Sequence, residues 1–214
     1  MNSGNQDKDV KAKAIEIYDQ STAEYGDSSD AVRWHNPQSQ YLRFFQLIKN
    51  MDIQDSNMSI LDVGCGNGEL YKFLHFCGFR GTYTGIDINE NLLLMAQAKF
   101  KGKSVSFFRV DLLNDDFEQC YDYVLMSGLF NSNYGQDFPW VCRFIEAMYK
   151  RCRKASIFNI ISTHVNFRDK ELYYVSPSEL LNYVISNVTP SVTLIHNEPP
   201  YNFQIELKKT PNWV

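Results

Sequence analysis

An apolar run that passes straight into Gly-x-Gly-x-Gly leaves a chain few folds, and here the run is Ile60-Leu61-Asp62-Val63-Gly64-Cys65-Gly66-Asn67-Gly68-Glu69. Such a turn joins a strand to a helix and bares its backbone N–H groups to a ligand. Glycine is required there because positive φ costs it nothing and because it carries no Cβ to hold a ligand away. About twenty residues on, Tyr83-Thr84-Gly85-Ile86-Asp87 reads as a second strand ending in a carboxylate. An αβ unit brings such a residue beside the ribose of an adenosine. The third glycine comes one residue too early for the dinucleotide fingerprint G-x-G-x-x-G. Asp62, two residues before the first glycine, would repel a pyrophosphate and suits a cofactor that carries an ammonium and a sulfonium.

Strands rich in β-branched and aromatic residues alternate with helical patterns from residue 59 onward, the rhythm of a doubly wound α/β sheet. Strands are expected near 59–63, 82–87, 104–110, 121–127, 155–162, 191–196 and 202–208. Helices are expected over Glu69–Cys77, Asn91–Phe100, Pro139–Cys152 and from the capping box Ser176-Pro177-Ser178-Glu179 to about Ser186. The short link Asn197-Glu198-Pro199-Pro200-Tyr201 permits only a hairpin, so the last strand should run antiparallel to an otherwise parallel seven-stranded sheet. Ahead of the glycine turn, Val10–Gln20 and Ser39–Asn50 read as amphipathic helices. The expected division is an N-terminal helical appendage, residues 1–50, over one compact unit, residues 51–214.

A length of 214 residues is enough for one domain with a sizeable core, and no Pro/Gly/Ser-rich linker divides it. The formal net charge of −4 does not supply the broad basic surface of a nucleic-acid binder, and the cluster Lys150-Arg151-Arg153-Lys154 reads as the solvated end of a helix. Five cysteines, odd in number and never in C-x-x-C spacing, point to neither a disulfide framework nor a zinc site, so no metal is expected. The polar start Met1–Val10 and the lack of a long apolar run point to a cytoplasmic protein without a membrane span.

The stretch L-D-V-G-C-G-N-G-E resembles motif I of the class I S-adenosylmethionine-dependent methyltransferases. Gly85-Ile86-Asp87-Ile88-Asn89, Phe107-Phe108-Arg109-Val110-Asp111-Leu112 and Tyr121-Asp122-Tyr123-Val124-Leu125-Met126-Ser127-Gly128 resemble the following motifs in order. The likeness covers roughly residues 30–208 and implies a Rossmann-like fold with S-adenosyl-L-methionine as cofactor. It implies that Gly64, Cys65, Gly66 and Gly68 meet the methionine and ribose portions, with Asp62 near the amino group and Asp87 on the ribose. Ile88 and Leu112 would sandwich the adenine, Asp111 would take its amino group, and Ser127 and Gly128 would border the reacting methyl. Arg43 and Gln40 would reach the carboxylate, or else lie exposed on their helix.

Methyl transfer from a sulfonium is an in-line displacement that needs a base only for some acceptors. His164, in the long connection Thr163–Val175, is the first candidate base, with His35 and Tyr134 behind it. Trp34, Asn131, Tyr134 and His164 would form the acceptor side. Ser127-Gly128-Leu129-Phe130 lacks the [DN]-P-P-[YF] of amide and nucleobase amino methyltransferases, and Glu198-Pro199-Pro200-Tyr201 sits in the wrong element to replace it. The segments 33–47 and 127–131 look most like the UbiE/trans-aconitate-like group. The expected reaction is therefore methylation of an oxygen, or secondarily a nitrogen, of a small metabolite. Rivals are an RNA or protein methyltransferase and a non-catalytic cofactor-binding subunit.

Overall fold

The computed structural model describes residues 3–26 and 37–209. Two helices, α1 (Ser3–Tyr25) and α2 (Pro37–Ile48), precede β1 (Ser59–Val63), α3 (Glu69–Phe76), β2 (Thr82–Asp87), α4 (Glu90–Lys99) and β3 (Val105–Arg109). Then follow β4 (Tyr121–Ser127), α5 (Phe138–Lys150), β5 (Cys152–Ile161), α6 (Pro177–Asn187), β6 (Val192–His196) and β7 (Asn202–Lys208). The seven strands lie in the order β3-β2-β1-β4-β5-β7-β6. β7 is antiparallel to both β5 and β6, because the five residues between β6 and β7 allow nothing but a return.

Strand residues alternate between two buried faces. Leu61, Val63, Val124, Met126, Phe158 and Ile160 pack with α5 and α6. Ile60, Leu125, Ala155 and Ile157 pack with residues of α2, α3 and α4. Helix starts follow local chemistry: the side chains of Asn89, Asp137 and Ser176 each accept a backbone N–H of the first turn they precede. β5 begins at Cys152, three residues before the expected start, because its ladder with β4 already opens at Tyr121 opposite Cys152; Arg153 there reaches Asp122 at 3.2 Å and Ser59 Oγ at 2.8 Å. The basic cluster is thus divided. Lys150 ends α5, Arg151 binds the carbonyls of Phe117 and Ala147, and Arg153 and Lys154 belong to β5, correcting its reading as a solvated helix end.

The sheet changes winding direction between β1 and β4, where an open α/β sheet leaves a crevice at its carboxyl edge. Helix α1 lies across this edge, with Val10 and Ala14 buried in the same cluster as Leu61, Ile86 and Leu112. Among the described residues no helix is long and apolar enough to cross a membrane.

Candidate active site

The crevice holds about 1180 Å³ of empty space, open mouth included. Its floor is the turn after β1, in which Gly64, Gly66 and Gly68 all take positive φ, at 74°, 53° and 83°. The turn is held from below by Ile86, whose carbonyl accepts from Gly64 N at 2.8 Å and Cys65 N at 3.1 Å. Cys65 turns its sulfur toward Gly85, where an added Cβ would lie 2.8 Å from it, so the glycine of the second motif makes room for the loop of the first.

Asp87 joins that loop to α4. Its carboxylate accepts from Gly66 N and Asn89 N, each at 2.9 Å. Burial raises its pKa, against the opposing pull of the Asn89, Gly66 and Ile88 N–H groups. A carboxylate has about four acceptor positions, so the two short bonds leave capacity for the vicinal hydroxyls of a ribose. Asp62, 2 % exposed, accepts from Tyr83 Oη at 2.5 Å. Burial pushes its pKa up to about 7, with the nearby Asp87 adding to the rise and the Tyr83 bond opposing it.

At the other end, Asp111 forms an ion pair with Lys11 at 2.9 Å and accepts from Asn114 Nδ2 at 3.1 Å and Leu113 N at 3.2 Å. Burial alone would raise its pKa, but Lys11 and these donors hold it below the usual range. Helix α1 is also tied down by Asp7 to Arg143 at 2.6 Å and by Asp19 to the side-chain amides of Asn89 and Asn91 at 2.8 and 2.9 Å. Beyond Ser127 and Gly128 the wall becomes apolar and aromatic, with Tyr18, Leu129, Tyr134, Trp140 and Phe144. Trp140 and Phe144 sit 5.1 Å apart, centroid to centroid, and the Tyr134 hydroxyl donates to that of Tyr18 at 3.1 Å.

Known proteins are similar to this chain in sequence and in fold. Residues 60–155 match the family model described as a methyltransferase domain. A Mycobacterium tuberculosis protein named as a methyltransferase is 32% identical over 159 residues, spanning 71% of this chain and 93% of that protein. The chain belongs to the class I S-adenosylmethionine-dependent methyltransferases. A malonyl-[acyl-carrier protein] O-methyltransferase of Acetivibrio thermocellus is 33% identical over 85 residues, 39% of this chain and 30% of that protein. In fold, this methyltransferase is similar to the magnesium protoporphyrin IX methyltransferase of Synechocystis PCC 6803, solved with S-adenosylmethionine. The TM-score is 0.67 at 16% identity, covering 94% of this chain and 97% of that one.

Of the residues singled out in the sequence, Asp62, Gly64, Cys65, Gly66, Asp87, Ile88, Asp111, Leu112, Ser127, Gly128, Tyr134 and Gln40 line the crevice of this methyltransferase. Gly68 caps α3 just behind it. Others are displaced from where they were expected. His164 is exposed in the loop after β5, with its ring 5.7 Å from that of His196 and its N–H on Ser162 Oγ, and it does not line the crevice. The connection that carries it folds back on itself, with Thr163 N donating to Val175 O and Asn133 N to Glu171 O. Asn131 tightens the turn after β4 through Gly128 O and Tyr173 N and also stays off the lining. Arg43 spends its guanidinium on the Ser39 carbonyl at 3.0 Å and on Asn202 at 3.3 Å. Burial lowers its pKa to about 10. Tyr134 is in place but unsuited to serve as a base, since burial first and the Tyr18 contact second hold its pKa well above the ordinary phenol value. Trp34 and His35 lie outside the described residues.

Sequence reasoning missed Asp7, Lys11 and Tyr18 on α1, and Trp140 and Phe144 on α5. The apolar spacing of Val10, Ala14 and Ile17 revealed the helix. Nothing local said which of its polar neighbours turn inward.

Proposed function

We propose that this enzyme methylates an oxygen, or secondarily a nitrogen, of a small molecule, with S-adenosylmethionine seated across the carboxyl edge of β1, β2 and β3. The aromatic end of the crevice beyond Ser127 and Gly128, covered by α1, carries the reading, because a concave, mostly apolar lining with few polar groups suits a small molecule. Helix α1, within the N-terminal segment that precedes the catalytic unit, acts as its cover, and the free cysteines suit a reducing cytoplasm.

The donor set fits the cofactor. Asp87 offers acceptor capacity to a ribose, Ile88 and Leu112 offer apolar faces to an adenine beside Asp111 and Asn114, and Asp62 offers a buried carboxylate to an ammonium. Gly64, Cys65 and Gly66 present backbone between them. S-Adenosylmethionine supplies a methyl group already activated on a sulfonium. The protein's own task is to align the acceptor, exclude water and leave the displaced sulfur in place, which α1 and the aromatic wall achieve by enclosure.

The protonation of Asp62 makes a checkable consequence. With a pKa near 7 in the free protein, Asp62 is mostly neutral at pH 6 and mostly ionised at pH 8. Only the ionised form holds an ammonium, so cofactor affinity rises with pH across this window, by about three- to fivefold once the cofactor's own amino group, which titrates at about pH 8, is counted, and binding at pH 6 releases a proton. Titration calorimetry at pH 6 and pH 8 in buffers of different ionisation enthalpy measures both. A flat profile, or one that survives in Asp62→Asn, would remove Asp62 from the amino-group role.

The reading as a whole is tested by S-adenosylhomocysteine release with a panel of carboxylic acids, phenols and amines against bulk tRNA and a mixed peptide pool. Turnover with members of the small-molecule panel alone supports it. Turnover with RNA or peptide alone replaces it by the macromolecular reading, and cofactor binding without any turnover leaves a binding subunit.

A further inference from the structure

Asn159 lies on β5 beside Ser127 of β4, each the register partner of the other in the parallel ladder, and is 3 % exposed. Both ends of its side-chain amide are engaged. Its Oδ1 accepts from Gly128 N at 3.2 Å and its Nδ2 lies 3.0 Å from Ser127 Oγ. A backbone N–H can only donate, so the end of the amide facing Gly128 must be the oxygen. The end facing Ser127 is then the NH2 group, which can only donate, and the serine hydroxyl must accept from it. A hydroxyl that accepts from Asn159 keeps its own hydrogen for another partner. Among the described residues Ser127 Oγ makes that one hydrogen bond, and Ser127 lines the crevice where the reacting methyl would lie. Gly128 N–H, by contrast, is already taken by Asn159 and is not offered to a substrate.

We infer that Asn159 is a positioning residue that holds the Ser127 hydroxyl as a hydrogen-bond donor toward the nucleophilic atom of the acceptor, and that this selects an anionic oxygen over an amine. The inference rests on the small-molecule reading above. An oxygen nucleophile attacks with one lone pair and accepts the Ser127 hydrogen with another. A neutral amine has a single lone pair, which must attack the methyl, and so leaves that hydrogen unpaired. The acceptor oxygen, of a carboxylate or a phenolate, arrives without a proton. The new bond is O–CH3, the bond broken is S–CH3, and its electron pair stays on sulfur, leaving a neutral thioether and a neutral ester or ether.

Benzoate, phenol and aniline, titrated into protein saturated with S-adenosylhomocysteine and followed by ligand-observed NMR, test the donor without requiring turnover. Benzoate separates the carboxylate source from the phenolate source, and phenol is run on both sides of its own titration. Ser127→Ala removes the donor. Asn159→Asp keeps the shape but places an acceptor opposite the hydroxyl, which turns the Ser127 hydrogen away from the crevice. Each variant should weaken the favoured oxygen probe about tenfold or more, as expected for losing a hydrogen bond to a charged group. The double variant should lose no more than either single one. Ser127→Thr should restore binding, aniline should change less than threefold throughout, and homocysteine-product affinity should stay within twofold, showing that the site is folded. Losses that multiply in the double variant, or oxygen-probe affinities indifferent to both changes, overturn the role of Asn159 while leaving the small-molecule reading intact. If wild-type protein binds S-adenosylhomocysteine but none of the three probes, the role of Asn159 falls, and the small-molecule reading is decided separately by the turnover panel.

Discussion

Asp87→Ala lowers affinity for S-adenosylmethionine and S-adenosylhomocysteine by about a hundredfold or more, while the protein stays folded. The size follows from the role proposed for the carboxylate. Two hydrogen bonds to a charged acceptor contribute about 1.5–3 kcal/mol each, and every 1.4 kcal/mol is a factor of about ten in affinity. The fold survives because Asp87 is only half-buried. Gly66 and Asn89, whose N–H groups it now holds, both line the crevice, so water filling the space left by the carboxylate can meet those groups. Asp87→Asn should fall between wild type and alanine. Gly66 N–H and Asn89 N–H meet different carboxylate oxygens, and an amide offers an oxygen to only one of them. Titration calorimetry with both ligands, alongside a melting curve, measures the effect. Affinity within threefold of wild type in the alanine variant would show that the ribose is held elsewhere.

Gly68→Ala should lower the melting temperature by about 5–10 °C. The residue has φ +83°, and a Cβ there would stand 2.7 Å from Phe100 Cε2 and 3.3 Å from Phe107 Cζ. A flexible side chain would yield, but Phe100 is held edge-on against Tyr71 at 4.8 Å and stacked on Phe107 at 6.0 Å. The left-handed conformation costs an alanine about 1–2 kcal/mol and overpacking about 1–3 kcal/mol more. Against these stands about 0.4–1 kcal/mol gained by stiffening the unfolded chain. A net loss of about 2–3 kcal/mol corresponds to several degrees in a protein of this size. Gly102 supplies the control, since it has φ +81° and an added Cβ would meet nothing within 4 Å. Gly102→Ala therefore carries the backbone contribution alone, and the difference between the two variants is the packing contribution. Equal melting temperatures for the pair would show that the aromatic cluster gives way and that Gly68 is needed for its backbone only.

The residues legible in the sequence are those whose meaning is local. The glycine turn, the carboxylate twenty residues beyond it, the capping box at Ser176 and the five-residue link that forces β7 to return each depend on neighbours within a few positions or one crossover. The lining by Asp62, Gly64, Asp87, Asp111 and Ser127 follows from the same cause, because a strand's carboxyl end in a doubly wound sheet points to the crevice whatever the rest of the chain does. His164 departs from its expected place because a long connection is not in itself a mark of an acceptor site. The length is used in bridging back to residues 132 and 133 and in pairing Ser162 with Val175.

Asn159 shows the converse. On β5 it looks like any polar residue in an apolar strand, and its two bonds come from residues 31 and 32 positions away, brought beside it only by the β4–β5 register. The aromatic wall is similar: Tyr18 and Tyr134 are 116 positions apart and meet because α1 crosses the sheet edge. The fold, the class of reaction and the glycine turn with its neighbouring carboxylates are legible in the sequence, since these rest on backbone turns and strand ends read within short windows. Which side chains of α1 and α5 complete the lining of the crevice is set in three dimensions, because it depends on long-range register and on how α1 packs, and neither is encoded in any short stretch of the chain.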